Sequence, residues 1–201
     1  MPVAWTQHRF SGGALALDTT NTVVLRCDPS RRFDRFDDPI EIARFAAAAS
    51  VFRRDEVGRP LAVADAEAIA GPVRRLRESI DALFRRPAGG EPIDARELAA
   101  LLRDCAVALD GRDELLARPD APFGQAGAPL PFETAVAISA LSLLGSDQFR
   151  KVKICPSCTW LFLDKSRNSS RLWCDMAVCG NQAKARLHYR RQKLQREKAD
   201  G

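Results

Sequence analysis

Four cysteines, Cys155, Cys158, Cys174 and Cys179, fall within 25 residues near the carboxyl end of this 201-residue chain. A Cys-x2-Cys step reverses the backbone tightly and aims two sulfurs at a common centre, and the second pair follows after 15 intervening residues. Four soft, charged ligands in that spacing suit tetrahedral Zn(II), with Zn–S bonds of about 2.3 Å. Iron and a thiol redox pair are the competing uses. A redox pair usually opens a helix after a buried strand, whereas Pro156 and Ser157 sit between short apolar stretches that read as a hairpin. A disulfide framework fits poorly, because Cys27 and Cys105 lie far from the other four. Four thiolates close the coordination sphere and leave no metal-bound water to activate, so the expectation is one structural zinc per chain. A segment of about 50 residues buries little apolar surface, and ligation supplies the missing folding energy. Trp160, Phe162, Leu172 and Trp173 are the expected small core beside the metal.

Charge divides the chain at the same place. Residues 150–201 hold 13 Lys plus Arg against 4 Asp plus Glu, a net of +9, while residues 1–149 carry a net of −4. A concentrated positive field attracts a polyanion, and double-stranded DNA is the first candidate. From Asn181 the chain reads as one helix, with Ala183, Leu187 and Leu194 on one side and Gly180 permitting the turn into it. Lys184, Arg186, Arg190, Arg191 and Lys193 are the expected phosphate contacts, and Asn181, Gln182 and His188 the candidates at base edges. The alternative is a zinc-stabilised protein–protein adaptor that buries Leu187, Tyr189 and Leu194 against a partner.

The first 149 residues predict a mainly helical domain with a small β component. Asp38-Pro39 opens a helix through Ile42, Phe45 and Ala49. Residues 62–70 and 73–84 read as two further helical segments, the second amphipathic through Val73, Leu76, Ile80, Leu83 and Phe84. A helix after Asp94 carries Cys105 on its apolar stripe, as a buried thiol. Residues 118–131 hold four prolines and two glycines and read as a long loop or linker. Pro131 opens a helix that is apolar around most of its circumference and ends near Gly145, so it belongs inside the domain. The run Gly12–Leu17 is too short to choose between helix and strand. Asp18 and Asn21 at its end are either core hydrogen-bonding groups or a site for a small-molecule effector. No glycine-rich phosphate loop, nucleophile elbow or His-Glu metal helix is present, so no enzyme is expected. No run approaches a membrane span, and the start lacks the pattern of a secretion signal, which makes the cytoplasm the expected compartment. The two parts are expected to have separate apolar clusters, so that Cys174→Ala unfolds residues 150–201 and spares the helices of the body.

Trp173-Cys174-Asp175-Met176-Ala177-Val178-Cys179-Gly180-Asn181-Gln182, after Cys155-x2-Cys158 and Leu161-Phe162-Leu163-Asp164, resembles the CGNR zinc finger of bacterial stress-induced transcription regulators. The stretch Gly12-Gly13-Ala14-Leu15-Ala16-Leu17-Asp18 with Asn21-Thr22, and more weakly Leu76-Arg77-Glu78, resembles the ABATE domain that accompanies that finger. The resemblance implies a helical regulatory domain over residues 1–149 that senses stress or a ligand. It implies a small treble-clef-like finger over 150–201, a β-hairpin plus a carboxyl-terminal helix, that binds DNA. It also implies the four cysteines as ligands, with Gly180 and Asn181 as motif residues. The motif arginine is replaced by Gln182, which removes one positive charge from the expected contact surface.

Overall fold

The computed structural model describes residues 3–111, 123 and 127–199; the side chains of 193, 194 and 196–199 lie outside the described set. It is a mainly helical body followed by a small hairpin-and-helix finger.

The body is organised by α4, Ala66–Ala88, whose start is capped by Asp65 accepting from Ala68 N at 3.1 Å. Val73, Leu76, Ile80, Leu83 and Phe84 form its buried face. The two segments expected over residues 62–84 are thus one helix plus a strand residue. Pro72 deletes one helical N–H without ending the helix, and Ala62 belongs to β3, Leu61–Ala62. Helix α2, Ile40–Phe52, starts where Asp38 accepts from Ile40 N at 3.1 Å. A short helix, α3, Arg54–Val57, follows it. Helix α5, Ala95–Leu109, is capped by Asp94 and buries Cys105, whose thiol is pushed up to about 12 by desolvation.

Helix α6, Phe132–Ser142, passes through the centre with eight of its residues buried. It follows β4, Leu130–Pro131, which pairs in parallel with β3. The expected linker over 118–131 therefore ends in paired strand, and Phe123 within it is buried; residues 118–122 and 124–126 lie outside the described set.

Near the start, α1, Leu15–Thr20, is buried along its whole length. A helix in that position needs internal partners for its polar groups. Glu56 accepts from Leu15 N at 3.1 and 2.9 Å, and Ser139 Oγ accepts from Ala16 N at 3.0 Å. The hydroxyls of Thr19, Thr20 and Thr22 donate back to carbonyls of the same segment, each at 2.8 Å. The small strand pair β1, Val23–Val24, and β2, Phe33–Asp34, follows.

A short helix, α7, Ser146–Phe149, leads into β5, Val152–Ile154, and β6, Leu161–Leu163, which pair antiparallel with Ile154 opposite Leu161 and Val152 opposite Leu163. A turn of π-helix, Met176–Gly180, then opens α8, Asn181–Ala199. The hairpin overturns the expectation of separate apolar clusters. Val152, Leu161 and Leu163 join the core of the body, while Trp160 and Phe162 face the cysteines. Strand side chains alternate between faces, and a hairpin that is apolar on both faces is buried on both. Leu172, expected beside the metal, is instead 67% exposed, and the small core consists of Trp160, Phe162, Trp173 and the cysteines.

Candidate metal centre and nucleic-acid interface

Cys155 and Cys158 sit in the knuckle that joins β5 to β6. The knuckle is closed by Cys155 N donating to Trp160 O at 2.9 Å and Thr159 N donating to Cys155 O at 2.8 Å. Thr159 takes a left-handed conformation, φ 63°, to complete the reversal. Cys174 and Cys179 bracket the start of the π-helical turn, which Asp175 caps by accepting from Ala177 N at 2.8 Å and Val178 N at 3.3 Å. Arg171 holds the approach to Cys174. Its guanidinium donates to the carbonyls of Trp173 and Cys174 and lies 5.3 Å from the centre of the Phe162 ring. At Gly180 an added Cβ would meet Met176 Sδ, on an exposed side chain that can swing aside, and come within 3.3 Å of Trp173 Cδ1, so the turn packs tightly against the metal-site tryptophan.

The four sulfurs lie within 4.8 Å of one another, with Cys158–Cys174 at 3.4 Å and Cys174–Cys179 at 3.6 Å. Zn–S bonds of about 2.3 Å in a tetrahedron imply sulfur–sulfur edges of roughly 3.8 Å, so the donor set fits one zinc ion. The closeness of the four thiols also perturbs their acidity. Hydrogen bonds from Cys158 and Cys174 drive the Cys155 thiol far below its usual range. Their bonds to Cys155 push Cys158 and Cys174 up, and burial does the same to Cys179. Four thiolates packed this closely repel one another, and a dication at their centre offsets that repulsion.

The finger is clamped to the body by polar contacts as well as by its core. The Asn21 side-chain amide donates to Leu161 O at 2.9 Å and accepts from Leu161 N at 3.0 Å, behaving as one residue of an added strand. Leu163 N donates to Gly12 O at 2.7 Å, and Arg85 Nη1 donates to Thr159 O at 2.9 Å. Asp18 supports the same segment: its carboxylate accepts from Gly12 N at 2.8 Å and pairs with Arg53. Desolvation raises the Asp18 pKa to about 6, against the pull of Arg53. The structure therefore places Asp18 and Asn21 in buried, internally satisfied positions at the junction of body and finger. His8 was not singled out by sequence. Its Nδ1 lies 2.8 Å from Asp175 Oδ2 and its ring stacks on Trp160 at 5.4 Å. A histidine 147 or more positions before the first ligand carries no local signal of such a contact.

Among the residues expected to meet nucleic acid, Asn181, Gln182, Lys184, Arg186, His188, Arg190 and Arg191 are all exposed on α8, together with Leu187 and Tyr189. Asn181 Nδ2 also donates to Ala177 O at 3.0 Å, tying the helix start to the π-turn. The Lys193 side chain lies outside the described residues. Residues 150–192 contain two acidic side chains, Asp164 and Asp175. Asp164 is fully buried and paired with Lys153 at 2.6 Å, and Asp175 is engaged by His8 and the π-turn. Asp164 is turned inward and Asp175 is partly exposed but paired, which leaves the exposed charge of the finger predominantly cationic.

Residues 151–192 match the family model of the CGNR zinc finger, and residues 13–147 match the ABATE model, described as "Putative stress-induced transcription regulator". No curated protein matches the chain. Among the described residues no helix is long and apolar enough to cross a membrane.

Proposed function

We propose that this chain, which belongs to the ABATE family, acts by binding duplex DNA through α8 while its body sets the position of that helix. The carrying observation is α8 itself. It is rooted at the metal centre, and every described side chain from Lys184 to Gln192 is exposed, with five basic residues from Lys184 to Lys193 and no acidic one. A helix whose exposed surface is mostly polar and basic gains little from packing on its own protein, and the DNA major groove, about 12 Å wide, admits one. Cations on several sides of such a helix reach phosphates on both walls of the groove. Asn181, Gln182 and His188 near its root are the groups that would meet base edges. Zinc, held by the four cysteines, serves as scaffold, and the role is one of binding rather than catalysis. With Asp18 and Asn21 committed to the junction, an effector of the body would act by loosening or tightening the contacts to Leu161 and Leu163. A cytoplasmic stress regulator is the setting this reading implies.

The test is selection of genomic DNA by the full-length, zinc-loaded protein, followed by salt titration of an enriched duplex. Arg190→Ala with Arg191→Ala should make the slope of log K against log salt less steep by about 2, at about 0.9 per lost phosphate contact. No enrichment, together with an unchanged slope in the double variant, would transfer the function to the adaptor reading, in which exposed Leu187 and Tyr189 meet a protein.

A further inference from the structure

The finger contains a second, separately built basic element. Between β6 and the metal-binding turn the chain runs Asp164-Lys165-Ser166-Arg167-Asn168-Ser169-Ser170-Arg171. A polar loop of this kind ordinarily has no internal framework, yet this one is organised around a carboxylate with no solvent exposure. Asp164 Oδ1 accepts from Ser166 N at 2.9 Å and Ser166 Oγ at 2.6 Å, and Oδ2 accepts from Arg171 N at 3.0 Å and Lys153 Nζ at 2.6 Å. Lys153 Nζ also donates to the carbonyls of Ser169 and Arg171, which ties the far end of the loop to the same centre. Burying a carboxylate is costly unless it is fully satisfied, and here the satisfied carboxylate fixes the loop's shape.

The fixed loop presents Lys165 and Arg167, both exposed and neither with a carboxylate partner among the described residues. Lys165 and Arg171 line a groove of about 660 Å³ together with Met176 and Ala177, in the turn from which α8 springs, and with Asp175, whose carboxylate is paired with His8. The loop and the root of α8 thus flank one depression. Nearby Arg171 adds a positive charge whose only described polar partners are carbonyls.

We propose that the 164–171 loop is a second phosphate-binding element, in which Lys165 and Arg167 grip the DNA backbone beside the groove entered by α8. The proposal rests on the DNA-binding reading and assigns a partner to a surface outside α8. Asp164 acts as a positioning residue: it touches no phosphate and holds the two cations in place. Its occupant is the phosphodiester backbone of duplex DNA, because two uncompensated cations on a fixed loop match a polyanion of regular charge spacing.

The experiment uses the full-length, zinc-loaded protein and an enriched duplex, with zinc content and helical circular dichroism measured on each variant. Lys165→Gln with Arg167→Gln removes two exposed side chains and should make the salt slope less steep by about 2 units, with binding weakened on the order of tenfold. Asp164→Asn raises the net charge of the protein by one. An effect of charge alone therefore predicts tighter binding, whereas loss of the loop's framework predicts weaker binding. If the Lys165/Arg167 variant keeps the wild-type slope while the Arg190/Arg191 variant loses two units, α8 binds DNA and the second element is overturned. If neither variant changes the slope, the DNA-binding face is misassigned and both readings fall. If Asp164→Asn tightens binding, the loop is not a built element; if it releases zinc, the Lys165/Arg167 variant decides alone.

Discussion

Helices α6 and α8 stand in opposite relations to the rest of the molecule. In α6 eight of eleven residues are buried, from Phe132 to Ala140, and alanines at 135, 137 and 140 let neighbouring elements approach its axis. In α8 every described side chain through Gln192 except Ala183 is exposed. The first helix is held by what surrounds it. The second has only its root, where the metal centre and the Asp175-capped turn fix its direction, and it lacks the packed face from which most helices in proteins draw their stability. The difference teaches that the chain spends its apolar residues on fixing the base of α8 and leaves the helix itself for a partner.

Removing the metal should break the comparison most severely. Chelation, or Cys174→Ser, takes away the root of α8, and structural zinc contributes about 10 kcal/mol or more to small metal-held folds. The hairpin also supplies Val152, Leu161 and Leu163 to the core of the body, so damage should not stop at residue 150. Thermal unfolding followed by circular dichroism should show loss of α8 helicity together with a lowered melting temperature of the body. A body that melts unchanged after zinc removal would restore the picture of two independent clusters.

The next largest effect lies in α6. Phe132 has no solvent exposure and packs edge-on against Phe45 at 5.7 Å. Phe132→Ala should cost about 3 to 5 kcal/mol by denaturant titration, through lost burial and the cavity left behind.

The parts of this architecture that rest on local chemistry were legible in the sequence. The cysteine spacing named the metal centre, the stripe from Val73 to Phe84 named the face of α4, and the all-round apolarity after Pro131 placed α6 inside. The contacts that decide how finger and body meet were not legible, because their partners lie far apart along the chain. Asn21 bonds to Leu161, 140 positions away, and β3 pairs with residues near 130. An unbroken apolar run, Trp160-Leu161-Phe162-Leu163, shows that both faces of a strand are covered without showing that one is covered by the body. The two segments over 62–70 and 73–84 are joined across Pro72, where buried Ala70 and Val73 on either side hold the helix to the body.

A smaller and pH-dependent loss is expected where the body's own charges meet. Arg77, 3% exposed, forms a two-pronged pair with Asp34, both contacts at 2.6 Å. Burial pushes the Asp34 carboxyl up, but the hydrogen bonds and charge of Arg77 overcome it and hold the pKa below its usual value. A folded-state pKa below the unfolded one gives stability that is present above about pH 3.9 and fades as the pH falls further. Asp34→Asn should therefore cost about 3 kcal/mol at pH 7, leaving the buried guanidinium with Glu78 as its remaining carboxylate and the Thr22 hydroxyl as a neutral acceptor. The deficit should shrink below about pH 4, where the wild type loses the same pair; a deficit independent of pH would show that packing, not charge, had been removed.

The clamp at the junction comes next, at about 2 to 4 kcal/mol, because Asn21→Leu strands both the N–H and the C=O of buried Leu161 at about 1 to 2 kcal/mol each. The informative readout is coupling. In the Asn21→Leu protein, zinc removal should lower the melting temperature of the body less than it does in the wild type, since finger and body are already partly separated. Equal shifts in the two proteins would mean that the shared core alone joins them.

The smallest effect separates the two readings of α8. Leu187 is 51% exposed and Tyr189 73% exposed, on a helix that makes its principal packing contact with the preceding turn. If cations on α8 carry the function, Leu187→Ala removes little that is buried, so stability should change by less than about 0.5 kcal/mol and the salt slope of DNA binding not at all. If instead the narrow stripe of Ala183 and Leu187 is the seat of a protein partner, the same substitution removes an anchor side chain at the middle of that interface. Stability would again stay constant, because the free protein leaves Leu187 in water, but association measured by sedimentation or pull-down would weaken while DNA binding held. A single truncation on the exposed helix thus distinguishes a face that works by charge from one that works by shape, and the expected outcome is that neither stability, DNA affinity nor association changes.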